Sequence, residues 1–384
     1  MVSVPEYVEK ASDLGPQFRV PMTRKRRAAA ARRGNQGVAS GTVRRHGWRR
    51  TSADEQLLEF AGAFGAITLR HAADYFYGGV WETARKRVQF MREAGLLERS
   101  DNLRWAGTVV YTTASGMAAA AAPGLPELRA LVPSEERMLH RLLVAEAALR
   151  MRARGVRVVA ERQMRAVERA NDSGQAAETF ARFCGVAVAG SPAAGEFGVS
   201  VSPTVDGNGR ARWFGVPVGM AGELHWPDFT AIVGGRIVAV EMEITHKERW
   251  RMLQVLRGYK LSIEAGHIAQ VLWEVTPDVQ MQLEGRRGTD GWDDGLLADL
   301  GFLDSGQVPD WSVKGRPMVV RAAQGRDEGV RYALSQKTLP PSLRCSYRLW
   351  RQWLQVWEQD ASALEFEEWL TRPRTMTQLR AMSQ

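Results

Sequence analysis

Residues 225–247 read HWPDFTAIVGGRIVAVEMEITHK, and this run places acidic side chains inside strongly apolar sequence. Two apolar segments, residues 229–233 and residues 236–245, flank the pair Gly234-Gly235. Apolar segments joined by two glycines are typical of a β-hairpin with a tight turn. The run therefore predicts two paired strands, the first of which begins at Asp228.

The acidic side chains of this hairpin should meet at one end of a sheet. Alternation along a strand puts Glu241 and Glu243 on one face, and the apolar residues between them on the other. Asp228 should lie beside them, with Lys247 just past the strand. Such carboxylates could hold Mg²⁺, which orients a water and stabilises charge on a phosphodiester. The alternative is an ordinary amphipathic hairpin whose carboxylates lie in water, with Lys247 paired to one of them.

The flanking sequence predicts an α/β core with a mixed sheet. A long helix opens at residue 134 and runs to about Arg154, and an apolar segment from 155 to 160 ends at Glu161. A helix over 248–264 and a buried strand over 268–275 follow the hairpin. His140 lies beside the apolar stripe of the long helix without metal-ligand spacing, which favours a core or edge histidine.

A second hairpin is predicted just upstream. Asp206-Gly207-Asn208-Gly209 is a strong turn signal. It lies between strand candidates at residues 199–202 and residues 213–218, which we expect to pair.

Residues 51–117 carry the pattern of three short helices and a β-hairpin. The helices are predicted over 53–64, over 67–76 and from Val80 to Gly95, and the strands over 96–99 and 108–112. That order resembles a winged helix-turn-helix, which reads DNA with its third helix. The alternative is a protein-interaction or dimerisation module. The predicted DNA contacts are Trp81, Arg85, Lys86, Gln89, Arg99 and Arg104.

Positive charge is concentrated in the first fifty residues. The chain has 384 residues and a net charge of +9, and residues 1–50 alone hold twelve Lys and Arg against three acidic residues. A run this polar cannot bury a core, which predicts a disordered arm that binds DNA without sequence choice. A solvated solubility tail is the alternative. The arm's predicted DNA contacts are Arg24, Lys25, Arg26, Arg27, Arg32, Arg33, Arg44 and Arg45.

Composition limits the other classes of protein. Hydrophobic residues make up 45% of the chain, but no apolar run approaches the ~18 residues of a membrane-spanning helix. The start lacks a secretory pattern, and Cys184 and Cys345 have no metal spacing, so we expect a cytoplasmic protein. Trp350, Trp353 and Trp357 would share one face of a helix near the end.

The hairpin resembles the core of the PD-(D/E)xK restriction-endonuclease-like family. That family has Pro-Asp, a gap, and then an acid, any residue and a lysine, which here correspond to Pro227-Asp228 and Glu241-Met242-Glu243. The sequence departs from the pattern at Glu243, where Lys is expected, and Lys247 would replace it. Glu161 would match a further acid of the family. The resemblance implies a Mg²⁺-dependent DNA endonuclease in which Asp228, Glu241 and Glu243 bind the metal.

A narrower resemblance covers residues 51–275. The order of LHRLLVAEAALRMR, VVAERQMR, WPDF and VAVEMEITHKERWRMLQVLRGY is similar to the replication-relaxation family. Members are associated with replication, DNA relaxation and conjugation of plasmids and other mobile elements. The resemblance implies DNA as a partner, together with other replication or transfer proteins, and no membrane.

These patterns predict five segments and leave three functions open. The segments are a basic arm (1–50), a winged helix (51–117), a linker (118–133), a nuclease-like α/β domain with a mixed sheet (134–284) and a Trp-rich extension (285–384). The chain is expected to nick DNA of a mobile element with Mg²⁺. A catalytically silent nuclease fold that only binds DNA, or a transcriptional regulator that uses only the winged helix, is the alternative.

Overall fold

The protein is described from a computed structural model. It covers residues 49–100, 107–120, 128–132, 134–170, 187–188, 200–201, 204–205, 211–219, 223–289, 291–307, 309, 315–325, 327–338 and 350. The predicted arm contacts from Arg24 to Arg45, together with Arg104, both cysteines, Trp353 and Trp357, lie outside these ranges. Within them, the chain forms ten helices and a mixed five-stranded sheet, which confirms the predicted α/β class. None of these helices is long and apolar enough to cross a membrane.

The N-terminal part contains helices α1 (Ser52–Phe64), α2 (Leu69–Tyr75) and α3 (Trp81–Glu93). Strands β1 (Ile67–Thr68), β2 (Leu97–Ser100) and β3 (Val109–Thr112) form a small sheet in the order β1-β3-β2, and α4 (Ala114–Ala120) follows. The predicted helix over 67–76 was wrong at its start. Ile67 pairs with Val110, and Thr68 is extended because its side chain caps α2 by accepting the His71 N–H.

A buried polar group joins α1 to α3. The Asp54 carboxylate accepts the hydroxyl of Tyr77 at 2.7 Å and the Nε of Arg87 at 3.0 Å. Burial acts to raise the pKa of the Asp54 carboxyl, but the hydrogen bonds from Arg87, Tyr77 and Thr51 outweigh it and hold the pKa below its usual value. This network fixes the position of α3 and leaves its other face in solvent.

Helix α5 (Glu135–Ala153) is the long predicted helix, and it leads into β4 (Arg157–Ala160). Helix α6 (Glu161–Ala170) begins directly after β4 and was not predicted. Its large apolar residues are only Met164 and Val167, which are buried one turn apart among polar neighbours and give a weak pattern.

Short strands occupy the next segment. They are β5 (Ala187–Val188), β6 (Ser200–Val201), β7 (Thr204–Val205), β8 (Ala211–Arg212), β9 (Val216–Val218) and β10 (Glu223–His225). The predicted pairing of 199–202 with 213–218 was wrong. Strand β7 pairs with β8, whereas β6 pairs with β5 and β9 with β10. The predicted turn, at residues 206–209, lies outside the described residues.

The main sheet has the order β16-β13-β12-β11-β4. The predicted hairpin is confirmed as β11 (Phe229–Val233) and β12 (Arg236–Glu243), joined by Gly234 and Gly235 at positive φ. Helix α7 (Arg249–Glu264) then crosses to β13 (Gln270–Val275), which runs parallel to β12. Because Phe229 pairs with Val240, Asp228 and Glu241 lie at the same end of these neighbouring strands.

The C-terminal part adds α8 (Pro277–Glu284), β14 (Gly285–Arg287), β15 (Trp292–Asp294), α9 (Leu296–Asp299), β16 (Met318–Ala322) and α10 (Glu328–Thr338). Strand β16 pairs in parallel with β13 as the edge of the main sheet. Of the predicted Trp face, only Trp350 is described, and it is buried against Tyr332.

The sheet separates two apolar cores. Val240 and Met242 pack with α1, α2 and α5 in one core, whereas Ile237 and Ala239 pack with α7 in the other. The predicted alternation along β12 is thereby confirmed. It turns the Glu241 side chain toward α7, where Tyr259 contacts it.

Candidate functional site

A cleft of about 540 Å³ opens at the end of β11 and β12. Its floor is formed by the sheet, one wall by α5 and α6, and its lip by the end of α1, including Phe64. All five residues predicted to be catalytic line this cleft, namely Glu161, Asp228, Glu241, Glu243 and Lys247. Six basic side chains line it as well, and they are Arg137, Arg141, Arg162, Arg165, Lys247 and Lys337.

Asp228 is held by the strand next to it and by α5. Its Oδ2 accepts the backbone N–H of Met242 at 2.8 Å and lies 3.3 Å from Nε2 of His140. The same Nε2 lies 2.8 Å from the Met242 carbonyl oxygen. Burial acts to raise the pKa of Asp228, but the charge and hydrogen bond of His140 outweigh it and lower the pKa. Asp228 is therefore an anion at neutral pH.

His140 is a cation in this setting. Burial alone would lower its pKa, but the charge of Asp228 reverses the effect and raises the pKa of His140 to about 9. The sequence predicts a core or edge histidine, and the structure places its partly buried ring at the cleft, against the carboxylate of Asp228. The pair fixes α5 to the sheet at the site itself.

Glu241 is buried on the cleft floor and uses Oε1 for two partners. His225 approaches with Nε2 at 2.6 Å, and the Tyr259 hydroxyl of α7 donates to the same oxygen. The charge of Glu241 outweighs burial and raises the pKa of His225. Burial and Glu241 raise the pKa of Tyr259 well above its usual value, so the phenol stays a donor.

Glu243 and Lys247 form an ion pair at the end of β12. Burial raises the pKa of Glu243, and the neighbouring Glu241 and Asp228 add to this effect, whereas Lys247 opposes it. The charges of Glu243, Glu241 and Asp228 raise the pKa of Lys247 against the effect of burial. The alternative of an ordinary amphipathic hairpin also pairs Lys247 with a carboxylate, but it places the carboxylates in water. Glu241 and Glu243 are instead buried, with exposed fractions of 6% and 8%.

Glu161, the first residue of α6, lies across the cleft from the hairpin. Its Oε1 accepts a hydrogen bond from Nη2 of Arg165 at 2.7 Å. Cζ of the Arg165 guanidinium lies 4.3 Å from the centre of the Trp226 ring. Burial raises the pKa of Glu161, and Asp228 and Glu241 contribute to the rise against the effect of Arg165. A carboxyl with a raised pKa can exchange a proton nearer neutral pH than an ordinary glutamate can.

A buried carboxylate behind the wall holds Trp226 in place. Oε1 of Glu168 accepts three consecutive backbone N–H groups, from Trp213, Phe214 and Gly215, at 3.1, 2.8 and 3.0 Å. Its Oε2 accepts the indole N–H of Trp226 at 2.5 Å. Glu168 thus fixes the tryptophan against which Arg165, the partner of Glu161, rests.

The carboxylates bear on the predicted Mg²⁺ site in two ways. In the described part of the chain, no three His, Cys, Asp or Glu side chains are placed to hold one metal ion together. Mg²⁺, however, is usually bound by only one or two carboxylates, with waters and substrate phosphates completing the octahedron. Asp228 and Glu241 each use a single oxygen for their partners among the described residues, which leaves Oδ1 and Oε2 as hard oxygen donors. This donor set fits Mg²⁺.

The predicted DNA-reading face of α3 is exposed. Trp81 is 44% exposed, and Arg85, Lys86 and Gln89 also lie in solvent, whereas Ala84, Val88 and Met91 are buried. Acidic neighbours hold two of these side chains, because Arg85 pairs with Glu82 at 3.0 Å and Gln89 donates to Glu93 at 2.9 Å. Arg99, on β2, is exposed as well.

The side chains of the site that the sequence reasoning did not assign include His140, His225, Tyr259 and Arg141. They come from three elements, namely α5, β10 and α7, and only the fold brings them to the cleft or, for Tyr259, against Glu241. For His225 a local signal existed, since it lies three residues before Asp228 in the run that predicts the hairpin. The other three carry no spacing that would have identified them.

Comparisons with models of known protein families, with curated proteins and with solved structures found no match to this chain.

Proposed function

We propose that the protein binds DNA of a mobile element and nicks it with Mg²⁺ in the cleft formed by α5, α6 and the β11–β12 hairpin. The observation that carries this proposal is the charge arrangement of the cleft, in which buried carboxylates on the floor are surrounded by arginines and lysines on the walls. A phosphodiester is an anion, so the walls attract it, and a cation on the floor offsets its repulsion from the carboxylates.

The positions of the acidic residues support a nuclease site of the PD-(D/E)xK type. Asp228 at the start of β11 and Glu241 near the end of β12 lie on adjacent strands, within a helix–hairpin–helix–strand order. In this proposal Asp228 and Glu241 hold the ion. When bound, Mg²⁺ supplies a polarised phosphodiester and a water of lowered pKa.

The remaining side chains have roles that follow from their own contacts. Lys247, paired with Glu243 and partly exposed, would donate from Nζ to a phosphate oxygen. Glu161 has a raised pKa and is suited to take a proton from water at its carboxylate. His140 keeps Asp228 ionised and oriented by contact with its Oδ2.

DNA binding outside the cleft is assigned to α3, which would act as the recognition helix of a winged helix, and to the basic segment at residues 24–45. The exposed Arg85 and Lys86 support the first assignment, and the Arg-rich composition supports the second. The mobile-element setting, with replication or transfer proteins as further partners, follows from the resemblance of residues 51–275 to the replication-relaxation family.

A catalytically silent DNA-binding platform is the second candidate, and one observation favours it. Each acidic side chain of the cleft already has a cationic partner within the protein, namely His140, His225, Lys247 or Arg165. Charges that are compensated in this way do not require a metal.

A plasmid assay distinguishes the two candidates. Full-length protein is incubated with supercoiled plasmid, and separately with single-stranded DNA, in Mg²⁺, Mn²⁺ or EDTA. The nuclease proposal predicts conversion to nicked circles that requires the metal. Binding without conversion under any of these conditions would favour the silent platform.

A further inference from the structure

Arg141 occupies an unusual position in the cleft wall. It lies on α5, one turn after Arg137, and its guanidinium is half-buried. Its Nε is buried and has no hydrogen-bond partner in the described part of the chain. A buried guanidinium N–H without an acceptor is costly, and none of the described residues provides an acceptor for this nitrogen.

The end of α1 leaves room for this guanidinium. Gly65 caps α1 with φ +89, and a Cβ at that position would lie 2.7 Å from Nη1 of Arg141. Any side chain there would displace the guanidinium, in addition to straining the backbone. The glycine therefore holds open the space in which Arg141 reaches the cleft.

Arg162 brings a second positive charge to the same wall. Its guanidinium donates to the carbonyl oxygens of Gly62 and Arg129, which fixes it beneath the end of α1. Burial lowers the pKa of Arg162, and the nearby charge of Arg141 lowers it further. Burial and the charge of Arg137 likewise lower the pKa of Arg141. Like charges at short range in a half-buried site repel each other, and an anion between them would relieve that repulsion.

Carboxylates offset only part of this charge. The negative charge of Glu161 stabilises the positive charges of Arg141 and Arg162, and Asp228 has the same effect on Arg141. Glu161, however, is also paired directly with Arg165. The wall of α5 and α6 thus carries four guanidiniums around one carboxylate. The excess is positive, and it lies in the same cleft as the acidic floor.

We infer that Arg141, together with Arg137 and Arg162, forms a subsite for a backbone phosphate of a nucleic-acid strand that lies in the cleft. The guanidinium of Arg141, which lines the cleft, would donate to phosphate oxygens of the strand. The identity of the ligand as a nucleic-acid strand rests on the proposed function. The subsite holds the strand next to the acidic floor and takes no part in the chemistry.

Salt dependence of DNA binding tests this subsite without any cleavage. Full-length protein is titrated with a short labelled single-stranded DNA in EDTA at several salt concentrations, and anisotropy gives the affinity at each. Each phosphate contact contributes about 0.7 to the slope of log affinity against log salt for single strands. Arg141→Gln should therefore lower the slope by about 0.7 and weaken binding roughly tenfold at low salt. Arg257→Gln, an exposed arginine of α7 outside the cleft, should leave both unchanged.

An unchanged slope in Arg141→Gln overturns the inference, and so does an equal fall in Arg257→Gln, which would reflect general charge alone. If Arg141→Gln fails to fold, Arg137→Gln on the exposed turn before it should give the same fall, and its failure to do so is equally decisive. Cleavage is scored separately with Mg²⁺. If Arg141→Gln lowers the salt slope but wild type never cleaves DNA, the phosphate subsite stands and the nuclease proposal fails. If wild type cleaves DNA but Arg141→Gln leaves the slope unchanged, the nuclease proposal stands and the subsite fails.

Discussion

Nε2 of His140, on helix α5, lies 3.3 Å from Oδ2 of Asp228 at the start of strand β11. The pair joins the helix of one cleft wall to the strand that carries the first acidic residue of the floor. The charge of Asp228 also raises the pKa of His140 to about 9, which makes the pair a source of pH-dependent stability.

That stability has a definite sign. His140 has a folded pKa above its ordinary value of 6.5, so its contribution is complete below about pH 6.5 and is lost as pH rises through about 9. Thermal unfolding of the metal-free protein should show wild type losing on the order of 1 kcal/mol over this interval relative to His140→Gln, after allowance for partial exposure. The exposed His246, substituted to Gln, is the matched control. If the difference in stability between wild type and His140→Gln stays constant from pH 6 to about pH 10, the His140–Asp228 ion pair does not contribute to stability.

Glu168 provides a prediction about stability alone. Replacing it by Ala leaves three buried backbone N–H groups and the Trp226 indole without their acceptor. We expect a loss of about 3–5 kcal/mol in the free energy of unfolding, measured by the midpoint of urea denaturation. Glu264→Ala, at the exposed end of α7, should change it by less than about 0.5 kcal/mol. Equal effects of the two substitutions would show that the Glu168 network does not hold this wall.

Helix α3 gives a pair of substitutions with opposite expected effects. Lys86→Gln removes an exposed charge and should weaken DNA binding, with a salt slope lower by about 0.9 for duplex DNA. Glu82→Gln should strengthen binding, because it releases Arg85 from its 3.0 Å ion pair and removes a repelling carboxylate. Both affinities can be measured by anisotropy with one labelled duplex. If both substitutions shift affinity in the same direction, α3 does not lie on the DNA.

Lys247 is expected to matter for cleavage more than for binding. Lys247→Gln removes the Nζ paired with Glu243, and the loss of one charge on a phosphate oxygen should slow Mg²⁺-dependent nicking by about 10²–10³-fold. DNA affinity measured in EDTA should fall much less. Lys337→Gln, at the cleft rim, serves as the comparison. A Lys247→Gln protein that nicks as fast as wild type would leave this lysine with a structural role only.

The part of the fold that sequence could predict is the part held by local pattern. The β11–β12 hairpin follows from its paired glycines and from the alternation of Val240, Glu241 and Met242, all within a few residues of one another. The same locality brings Asp228 to the side of Met242. Helices α1, α3, α5 and α7 were predictable for a similar reason, since each repeats an apolar stripe at helical spacing.

The parts that could not be predicted depend on long-range packing. His140 reaches Asp228, and Tyr259 reaches Glu241, only because α5 and α7 cover opposite faces of the sheet. Strand β16 pairs with β13 although it lies in a distant segment, and its sequence does not indicate which strand it pairs with. Ile67 is extended because it pairs with Val110, and its own neighbourhood would equally suit a helix.

Single-turnover nicking by Asp228→Asn tests the central claim most directly. The substitution keeps the size of the side chain and an oxygen for the Met242 N–H, but removes the charge that would hold Mg²⁺. With supercoiled plasmid bound to saturation, wild type should nick in Mg²⁺ and Asp228→Asn should be slower by about a thousandfold, with equal DNA affinity in EDTA. Equal nicking by the two proteins, or no nicking by wild type in either Mg²⁺ or Mn²⁺, would contradict a metal-dependent nuclease site in this cleft.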